Sequence, residues 1–318
     1  MSCKLIHNRF PNSRHSRGFV VGGIFEIFDE KIGVDGYYQI IQRKLFPTST
    51  ETSIDVAAFH LQERIFRKGS IFSRVRYIHE EKAEEFIKGN VTRDDFFPPK
   101  PHKIDIPQGR FNRTGERTGY LADHPFVAML ECDISAGDNF LLSNIEFSKN
   151  MRFVFVEPDK DEFSHLLYQL LNAKDERFYS VINKVNNDIL SFQGFQGIAY
   201  NSTKVPEGYV DQTWGTVDST MNLALSGENI KQTELAAGWL AYCNESGRIF
   251  QRALFKPLSN KKKSKISRVN YQDNRSAYIL ESQKVMRELN EKKQKTAQLL
   301  NEGDNLKSSH SPMKILWK

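Results

Sequence analysis

Hydrophobic and polar positions follow two periods along this chain, one typical of strands and one typical of helices. Strand-like runs, short and rich in branched and aromatic residues, lie at residues 18–29, 71–78, 118–122, 139–147, 151–156, 196–202, 221–226 and 247–255. Apolar residues at helical spacing predict helices at residues 37–45, 53–68, 161–172, 177–190 and 276–300. Strands and helices are therefore both expected through most of the chain.

These elements group into three predicted parts. Residues 1–69 form an N-terminal extension that is partly helical, residues 70–258 form a central domain, and residues 259–318 form a basic, partly helical tail. Within the central domain, residues 79–107 are charged and then rich in proline, which predicts an insertion or flap. The helical stripe within the tail predicts a docking helix or a short coiled coil.

The charge of this chain is unevenly distributed. The net charge is +6, but residues 261–318 carry 14 Lys and Arg against 6 Asp and Glu, which leaves −2 for the first 260 residues. A nucleic-acid-binding domain usually carries a basic patch on its folded body. Contact with nucleic acid is therefore expected, if at all, through the tail.

Several classes of protein are disfavoured by what the sequence lacks. The three cysteines, Cys3, Cys132 and Cys243, show no CxxC spacing, which argues against a disulfide framework or a structural zinc site. The histidines show no HExxH spacing, and neither GxGxxG nor GxxxxGK[ST] occurs. No signal peptide or membrane span is recognisable. We expect a soluble cytoplasmic protein with no bound metal and no Rossmann or P-loop site.

The most informative side chain is a carboxylate on an otherwise apolar helix. Asp123 suits the N-cap of a helix that has Pro125 in its first turn, and residues 126–130 are apolar nearly all round. Glu131 follows them, so it should face the core or a cleft. An unpaired buried carboxylate is costly, so Glu131 requires either an arginine partner or a catalytic role. Both interpretations stay open at this point.

Four further positions are candidates for a site. Arg74 and Arg76 lie on one side of a predicted strand, and a guanidinium fork matches a phosphate or pyrophosphate, although such a pair is also typical of a solvated strand face. Tyr120 offers a stacking ring or simply fills the core. Ser202 ends a strand without the pattern of a nucleophile elbow, which favours capping or ligand hydrogen bonding.

Five short motifs follow one another in a specific order. They are FSRVR at residues 72–76, GRFN at 109–112, GYLA at 119–122, AMLEC at 128–132 and GIAYNS at 197–202. This order resembles the RES domain family, which is named for its Arg, Glu and Ser residues. The resemblance covers about half of the chain and implies an α+β fold, with an ADP-ribosyltransferase-like mixed β-sheet core and flanking helices.

The resemblance also implies the catalytic residues. Glu131 looks like the family's glutamate, Tyr120 like its active-site tyrosine and Arg74 like its arginine, with Arg76 as the alternative because both belong to the RxR pair. The serine of the family corresponds to Ser202.

The residues implied to bind the substrate surround these positions. They are Arg76, Arg110, Ser202 and Asn222, of which Asn222 is similar to a recurrent NL-type position. Proteins of the family are NAD phosphorylases or NAD glycohydrolases, so NAD is the implied substrate, inorganic phosphate a candidate co-substrate, and no cofactor or metal is expected. Many are toxins neutralised by a DNA-binding antitoxin, so an antitoxin or inhibitor protein is an implied partner.

The chemistry of NAD cleavage fits these residue types. Breaking the nicotinamide–ribose bond builds positive charge on the ribose, which a carboxylate such as Glu131 would stabilise. Two alternatives are kept: an ADP-ribosyltransferase that modifies a macromolecule, and a catalytically silent binding module with a basic docking tail. The sequence leaves open whether the chain forms a homo-oligomer.

Overall fold

A ten-stranded mixed β-sheet forms the centre of the protein. The computed structural model describes residues 23–46, 62–156, 161–190, 194–206, 208–258 and 265–300. The strands of the sheet are β1 (Gln62–Phe66), β2 (Ile71–Ile78), β3 (Thr118–Ala122), β4 (Asn139–Phe147), β5 (Met151–Val156), β6 (Gly197–Asn201), β9 (Met221–Ser226), β10 (Thr233–Cys243), β11 (Ile249–Pro257) and β12 (Ile266–Asn270). A separate small hairpin consists of β7 (Val210–Asp211) and β8 (Gly215–Thr216).

Helices flank this sheet. The α-helices are α1 (Gly33–Leu45), α2 (Glu80–Lys88), α3 (Pro125–Glu131), α4 (Glu162–Leu171), α5 (Tyr179–Val185) and α6 (Arg275–Leu300). One π-helical turn, Asn186–Leu190, directly continues α5. Within the ranges given above, no helix is both long enough and apolar enough to cross a lipid bilayer.

The strands are ordered β1-β5-β6-β9-β3-β2-β4-β10-β11-β12 across the sheet. β5 and β6 are parallel, whereas the other neighbouring strands pair antiparallel. The predicted α+β class and the mixed sheet are thereby confirmed.

In the middle of the sheet, the adjacent strands β2 and β3 pair through one residue of each. β2 pairs with β4 along its whole length, and β3 pairs with β9 along its whole length. Between β2 and β3, in contrast, the register contains one pair, Ser73↔Ala122. The sheet therefore consists of two five-stranded halves whose inner strands diverge from this pair, and the divergence leaves room for a cavity.

Aromatic side chains fill the core on one face of the sheet. Phe66, Phe72, Phe147 and Phe153 are all buried, with ring centroids of neighbouring pairs 5.0–6.4 Å apart.

The segment 79–107, predicted as an insertion or flap, contains α2 and packs on the same face of the sheet. Its Phe86 and Phe96 are fully buried in the aromatic core. A Cβ at Gly238 of β10 would lie 2.3 Å from Cε1 of Phe96, so glycine at this position allows the ring to rest on the strand.

Two predictions near the N-terminus are wrong in the part that the structure describes. A helix was expected at residues 53–68, but residues 53–61 lie outside the described ranges and residues 62–66 form β1, paired with β5. The burial of β1 alternates: Phe66 is buried while Ile65 is 37% exposed. Residues 23–29 of the strand expected at 18–29 form turns instead, and residues 18–22 are not described.

The C-terminal segment is part of this fold. β12 extends the sheet beyond β11, and the helix predicted at residues 276–300 is confirmed as α6. One side of α6 buries Tyr278, Val285, Met286 and Leu289 against the face of the sheet that also holds α3. The helix therefore docks on its own sheet. The lysine-rich run at residues 259–264 lies outside the described ranges.

Candidate active site

A short helix, α3, carries Glu131 as its last residue. Its N-cap is His124, whose Nδ1 accepts a hydrogen bond from the N–H of Phe126 at 3.2 Å. Burial lowers the pKa of His124 to about 3, so the ring is neutral and can accept this bond. The prediction of Asp123 as N-cap is therefore wrong by one residue. The backbone carbonyl of Asp123 accepts a hydrogen bond from Nζ of Lys293 instead, at 3.0 Å.

The Glu131 carboxylate is bound by two uncharged donors. Its Oε1 accepts hydrogen bonds from Oγ of Ser202 at 2.6 Å and from Nδ2 of Asn222 at 2.9 Å. Ser202 directly follows β6, and Asn222 lies on β9, so two neighbouring strands hold the carboxylate. Among the described residues, no lysine, arginine or histidine forms an ion pair with Glu131. The salt bridge that would have given Glu131 a purely structural role is thus not formed by this part of the chain.

Glu131 lines a cavity of about 380 Å³ at the divergence of β2 and β3. The cavity is also lined by four of the other residues implied by the family resemblance, namely Arg74, Arg110, Tyr120 and Asn222. Ser202 contacts the site through its hydrogen bond to Glu131. Arg76 neither lines the cavity nor bonds to Glu131 among the contacts of the described residues.

The two arginines of β2 have different surroundings. Arg74 lines the cavity, and its Nη1 is buried with no hydrogen-bond partner among the described residues. Burial lowers the pKa of Arg74 to about 10, which leaves the guanidinium charged at neutral pH. Arg76 instead donates from Nη1 to the backbone carbonyl of Asp95, at 3.4 Å, in the segment 79–107. The structure thus brings Arg74 and Glu131 to one cavity.

A second guanidinium with an unsatisfied donor comes from the GRFN motif. Nε of Arg110 is buried without a hydrogen-bond partner in the part of the chain that the structure describes. Its Nη2 donates to the carbonyl of Ala173 at 3.5 Å, and its Cζ lies 5.8 Å from the centroid of the Tyr179 ring. Two cationic groups of this cavity therefore keep a donor for an anion.

The hydroxyl of Tyr120 is occupied by the protein itself. It accepts from the N–H of Phe111 at 3.0 Å and donates to Oδ1 of Asn112 at 3.2 Å, which fixes the GRFN loop over β3. Burial raises the pKa of Tyr120 to about 12, so the hydroxyl stays protonated. The residue is nevertheless 38% exposed. The ring rather than the hydroxyl is therefore available to a ligand.

Sequence reasoning missed two aromatic residues of the cavity, Tyr179 and Tyr200. Tyr200 belongs to the GIAYNS motif, and burial together with the negative charge of Glu131 raises the pKa of its hydroxyl. Period-two alternation along β6 places Tyr200 on the same side as Ser202, and this was a usable signal. Tyr179 begins α5, and nothing in the local sequence connects it with the motifs.

Lys204 was not predicted from the sequence either, and it connects the loop after β6 with the end of α3. Its Nζ donates to the carbonyl of Leu130 at 2.9 Å and forms an ion pair of the same length with Asp133. Its backbone N–H donates to Oγ of Ser202 at 3.1 Å. These bonds fix the loop after β6 to the end of α3, and they hold the Ser202 hydroxyl beside Glu131.

Comparison with models of known protein families gave no match, and neither did a search of curated protein sequences. In the ranges that the structure describes, no group of three or more His, Cys, Asp or Glu side chains is arranged to hold a metal ion. The chemistry of this site is therefore argued from the carboxylate, the two guanidinium groups and the aromatic rings that meet in one cavity.

Proposed function

We propose that this protein is an NAD-degrading enzyme that cleaves the nicotinamide–ribose bond, with water or inorganic phosphate as the acceptor. The observation that carries the proposal is the Glu131 carboxylate. It lines a cavity, and two neutral donors, Ser202 and Asn222, hold it instead of a cation. The two hydrogen bonds fix the orientation of the carboxylate, and no cation among the described residues forms an ion pair with it.

Such a carboxylate suits a reaction that develops positive charge. When the nicotinamide–ribose bond breaks, the ribose gains oxocarbenium character, and a fixed anion beside it lowers the energy of the transition state. Ser202 and Asn222 orient Glu131 before the reaction, so little reorganisation is needed during it. Nicotinamide is a good leaving group, which makes a dedicated general acid unnecessary.

The cations of the cavity favour an anionic substrate. Arg74 and Arg110 each hold a buried N–H donor without a partner in the described structure. A buried unsatisfied donor costs about 1–3 kcal/mol, and more when it is charged. A pyrophosphate would satisfy both donors with charge-assisted hydrogen bonds, and so would the phosphate consumed in a phosphorolysis. NAD would therefore supply acceptors for donors that the described residues leave unpaired.

The exposed ring of Tyr120 and the ring of Tyr179 complete the proposed site. Aromatic rings stack on planar heterocycles, so these residues are suited to pack against nicotinamide or against the apolar side of its ribose.

The resemblance to the RES domain family supports the same proposal. Glu131, Arg74 and Tyr120 come from three separate motifs and contribute to one cavity, and Ser202 from a fourth motif binds Glu131. We extend the proposal to the fold, with the divided sheet as an ADP-ribosyltransferase-like core. An enzyme that consumes NAD would harm its own cell, so a toxin or defence role in the cytoplasm, with an inhibitor protein as partner, belongs to the proposal.

The test is incubation of the purified protein with NAD, with and without phosphate, followed by separation of the products. ADP-ribose indicates hydrolysis, and ADP-ribose 1″-phosphate indicates phosphorolysis; either result supports the proposal. Transfer of the ADP-ribose label to a macromolecule would replace it with the transferase alternative. Intact NAD after prolonged incubation with stoichiometric enzyme would contradict it.

A further inference from the structure

A second cavity, of about 420 Å³, lies on the same face of the same half-sheet as the Glu131 cavity. The floor between them consists of the cross-strand pairs Ala122↔Asn222, Tyr120↔Ala224 and Thr118↔Ser226 of β3 and β9. Asn222 contacts Glu131, whereas Ser226 lines the second cavity. Because a strand rises about 3.3 Å per residue, the two ends of this floor are about 13 Å apart.

The two cavities meet beneath the GRFN loop. Thr118 lines both of them, and its hydroxyl donates to the carbonyl of Phe111 at 3.2 Å. Arg110 lines the first cavity, and Arg117 lines the second. Arg117 lies close enough to Arg74 for its charge to lower the pKa of Arg74. Nε of Arg117 donates to the carbonyl of Pro98 at 2.8 Å, whereas Nε of Arg110 has no partner among the described residues. Arg110 is therefore the cation with a donor for an anion that bridges the junction.

The walls of the second cavity combine apolar surface with a few polar groups. Phe111, Leu190 and Phe195 supply the apolar surface, while Asn186 supplies an amide and Glu228 a carboxylate. A carboxylate accepts hydrogen bonds from an exocyclic amine, and an amide both donates and accepts. Apolar walls with a few polar groups of this kind are typical of sites for small heterocyclic ligands.

The backbone at this cavity is unusual. Asn186 and Leu190 belong to the π-helical turn that extends α5. π-Helical turns are rare and occur frequently at functional sites. The same α5 segment is fixed to the first cavity, because Nδ2 of Asn183 donates to the carbonyl of Gly109 at 2.9 Å. One helical segment thus borders both cavities.

From this geometry we propose that the second cavity binds the amino-substituted purine of a dinucleotide whose other nucleoside lies beside Glu131. This assignment rests on the proposed function and extends it. The nicotinamide ribose occupies the first cavity, the pyrophosphate crosses the junction at Thr118 beside Arg110, and the adenine occupies the second cavity, with Glu228 accepting from its amino group.

The test compares two mononucleotides that each resemble one half of NAD. Adenosine monophosphate and nicotinamide mononucleotide are titrated separately into the full-length protein by calorimetry. Asn186→Trp places a large side chain in the second cavity. Asp188→Trp puts the same side chain two positions away in the same π-helical turn, outside the residues that line the cavity, and serves as the matched control. Thermal melting of both variants verifies that they fold.

We expect Asn186→Trp to raise the Kd of adenosine monophosphate. The factor of this increase should be at least about ten times the factor for nicotinamide mononucleotide. Asp188→Trp should weaken neither ligand more than the other. The assignment is overturned if the folded Asn186→Trp variant weakens both mononucleotides equally or neither, or if the wild-type protein does not bind adenosine monophosphate at millimolar concentration. These titrations require no turnover. Selective purine binding without NAD cleavage would therefore reject the proposed function alone, and NAD cleavage with unselective binding would reject the purine site alone.

Discussion

At the scale of single residues, the Glu131 carboxylate is held by hydrogen-bond donors, and no cation in the described part of the chain forms an ion pair with it. A lysine or arginine partner would neutralise the carboxylate. The Ser202 hydroxyl and the Asn222 amide fix its direction without placing a positive charge beside it. Arg74 and Arg110, in contrast, each have a donor without a partner among the described residues, and both line the cavity where we propose that an anionic substrate binds.

The two arginines of β2 should differ in their contribution to activity. Arg74→Gln removes a buried cation from the cavity and should lower kcat/KM for nicotinamide release from NAD by about tenfold to a hundredfold, because a hydrogen bond to a charged group contributes about 1.5–3 kcal/mol. Arg76→Gln, which removes a bond to the Asp95 carbonyl outside the cavity, should change it by less than about threefold. Equal losses in both variants would show that Arg74 has no special role.

His124 should make the stability of the protein depend on pH. The unfolded chain takes up a proton at this residue as the pH falls through about 6.5, whereas burial holds the folded-state pKa at about 3. The unfolded state therefore binds more protons between these values, and the free energy of unfolding contributed by His124 is present above pH 6.5 and lost as the pH falls.

The matching variant is His124→Asn, since asparagine also serves as an N-cap but does not titrate. Between pH 7 and pH 5 the wild-type protein should lose about 2 kcal/mol more stability than this variant, as measured by urea unfolding at each pH. Parallel losses in the two proteins would mean that His124 already takes up its proton in the folded state.

Several of these residues could be predicted from the sequence because each has a local signal. Glu131 is the one acid on an apolar helix, and Ser202 ends a recognisable strand. The choice between Arg74 and Arg76 could not be predicted, because both lie on one side of β2 and the divergence of β2 from β3 is a tertiary property. Tyr179 was missed for a similar reason, since it meets Arg110 through packing between segments distant in sequence.

At the scale of elements, the sequence predicted the strands that have a clear strand-like run of hydrophobic residues. It did not predict strands whose conformation depends on pairing with adjacent strands. The predictions for β4 and β5 agree with the observed Asn139–Phe147 and Met151–Val156. β10 was missed because TELAAGWLAYC is rich in alanine, which has low strand propensity, and shows no simple alternation. Pairing with β4 and β11 on its two sides determines its structure.

The contact between α6 and α3 should stabilise the element that carries Glu131. Nζ of Lys293 is buried and donates to the Asp123 carbonyl, one residue before the N-cap of α3. Lys293→Met should lower the free energy of unfolding by about 1–3 kcal/mol, because it leaves a buried acceptor without this donor. Urea unfolding at pH 7 measures the change.

The neighbouring lysine provides the control. Lys292 forms a surface ion pair with Glu146, so Lys292→Met should cost less than about 1 kcal/mol. A cost for Lys293→Met no larger than that of its neighbour would show that α6 does not support α3 through this contact.

At the scale of the whole molecule, the basic C-terminal segment has a structural role that its charge does not indicate. A chain ending at residue 258 lacks β12 and α6, and with them four buried apolar side chains, Tyr278, Val285, Met286 and Leu289. Each contributes roughly 1.5–3 kcal/mol, a sum comparable to the stability of a typical domain. We expect this truncated chain to show no cooperative thermal transition by circular dichroism. An unchanged transition would mean that the segment is dispensable for folding.

Because β12 and α6 pack into the fold, deletion of the tail does not separate nucleic-acid binding from stability. Deletion of residues 261–318 removes part of the folded core together with the basic charge, so loss of binding could follow from unfolding. Replacement of Lys261, Lys262 and Lys263 by serine changes the charge and keeps β12 and α6. A salt-dependent affinity for nucleic acid that falls in this variant would support the docking-tail alternative.

The divided sheet brings Glu131, Arg74 and Tyr120 to one cavity, and we propose that Glu131 acts there on NAD. The most direct measurement is the rate of nicotinamide release from NAD by the wild-type protein and by Glu131→Gln, with Glu245→Gln in an exposed turn as the control. The glutamine oxygen can still accept from Ser202 and Asn222, so the fold should be kept while the charge is lost. We predict at least about a hundredfold slower release for Glu131→Gln, and a near-normal rate in the folded variant would contradict the assignment.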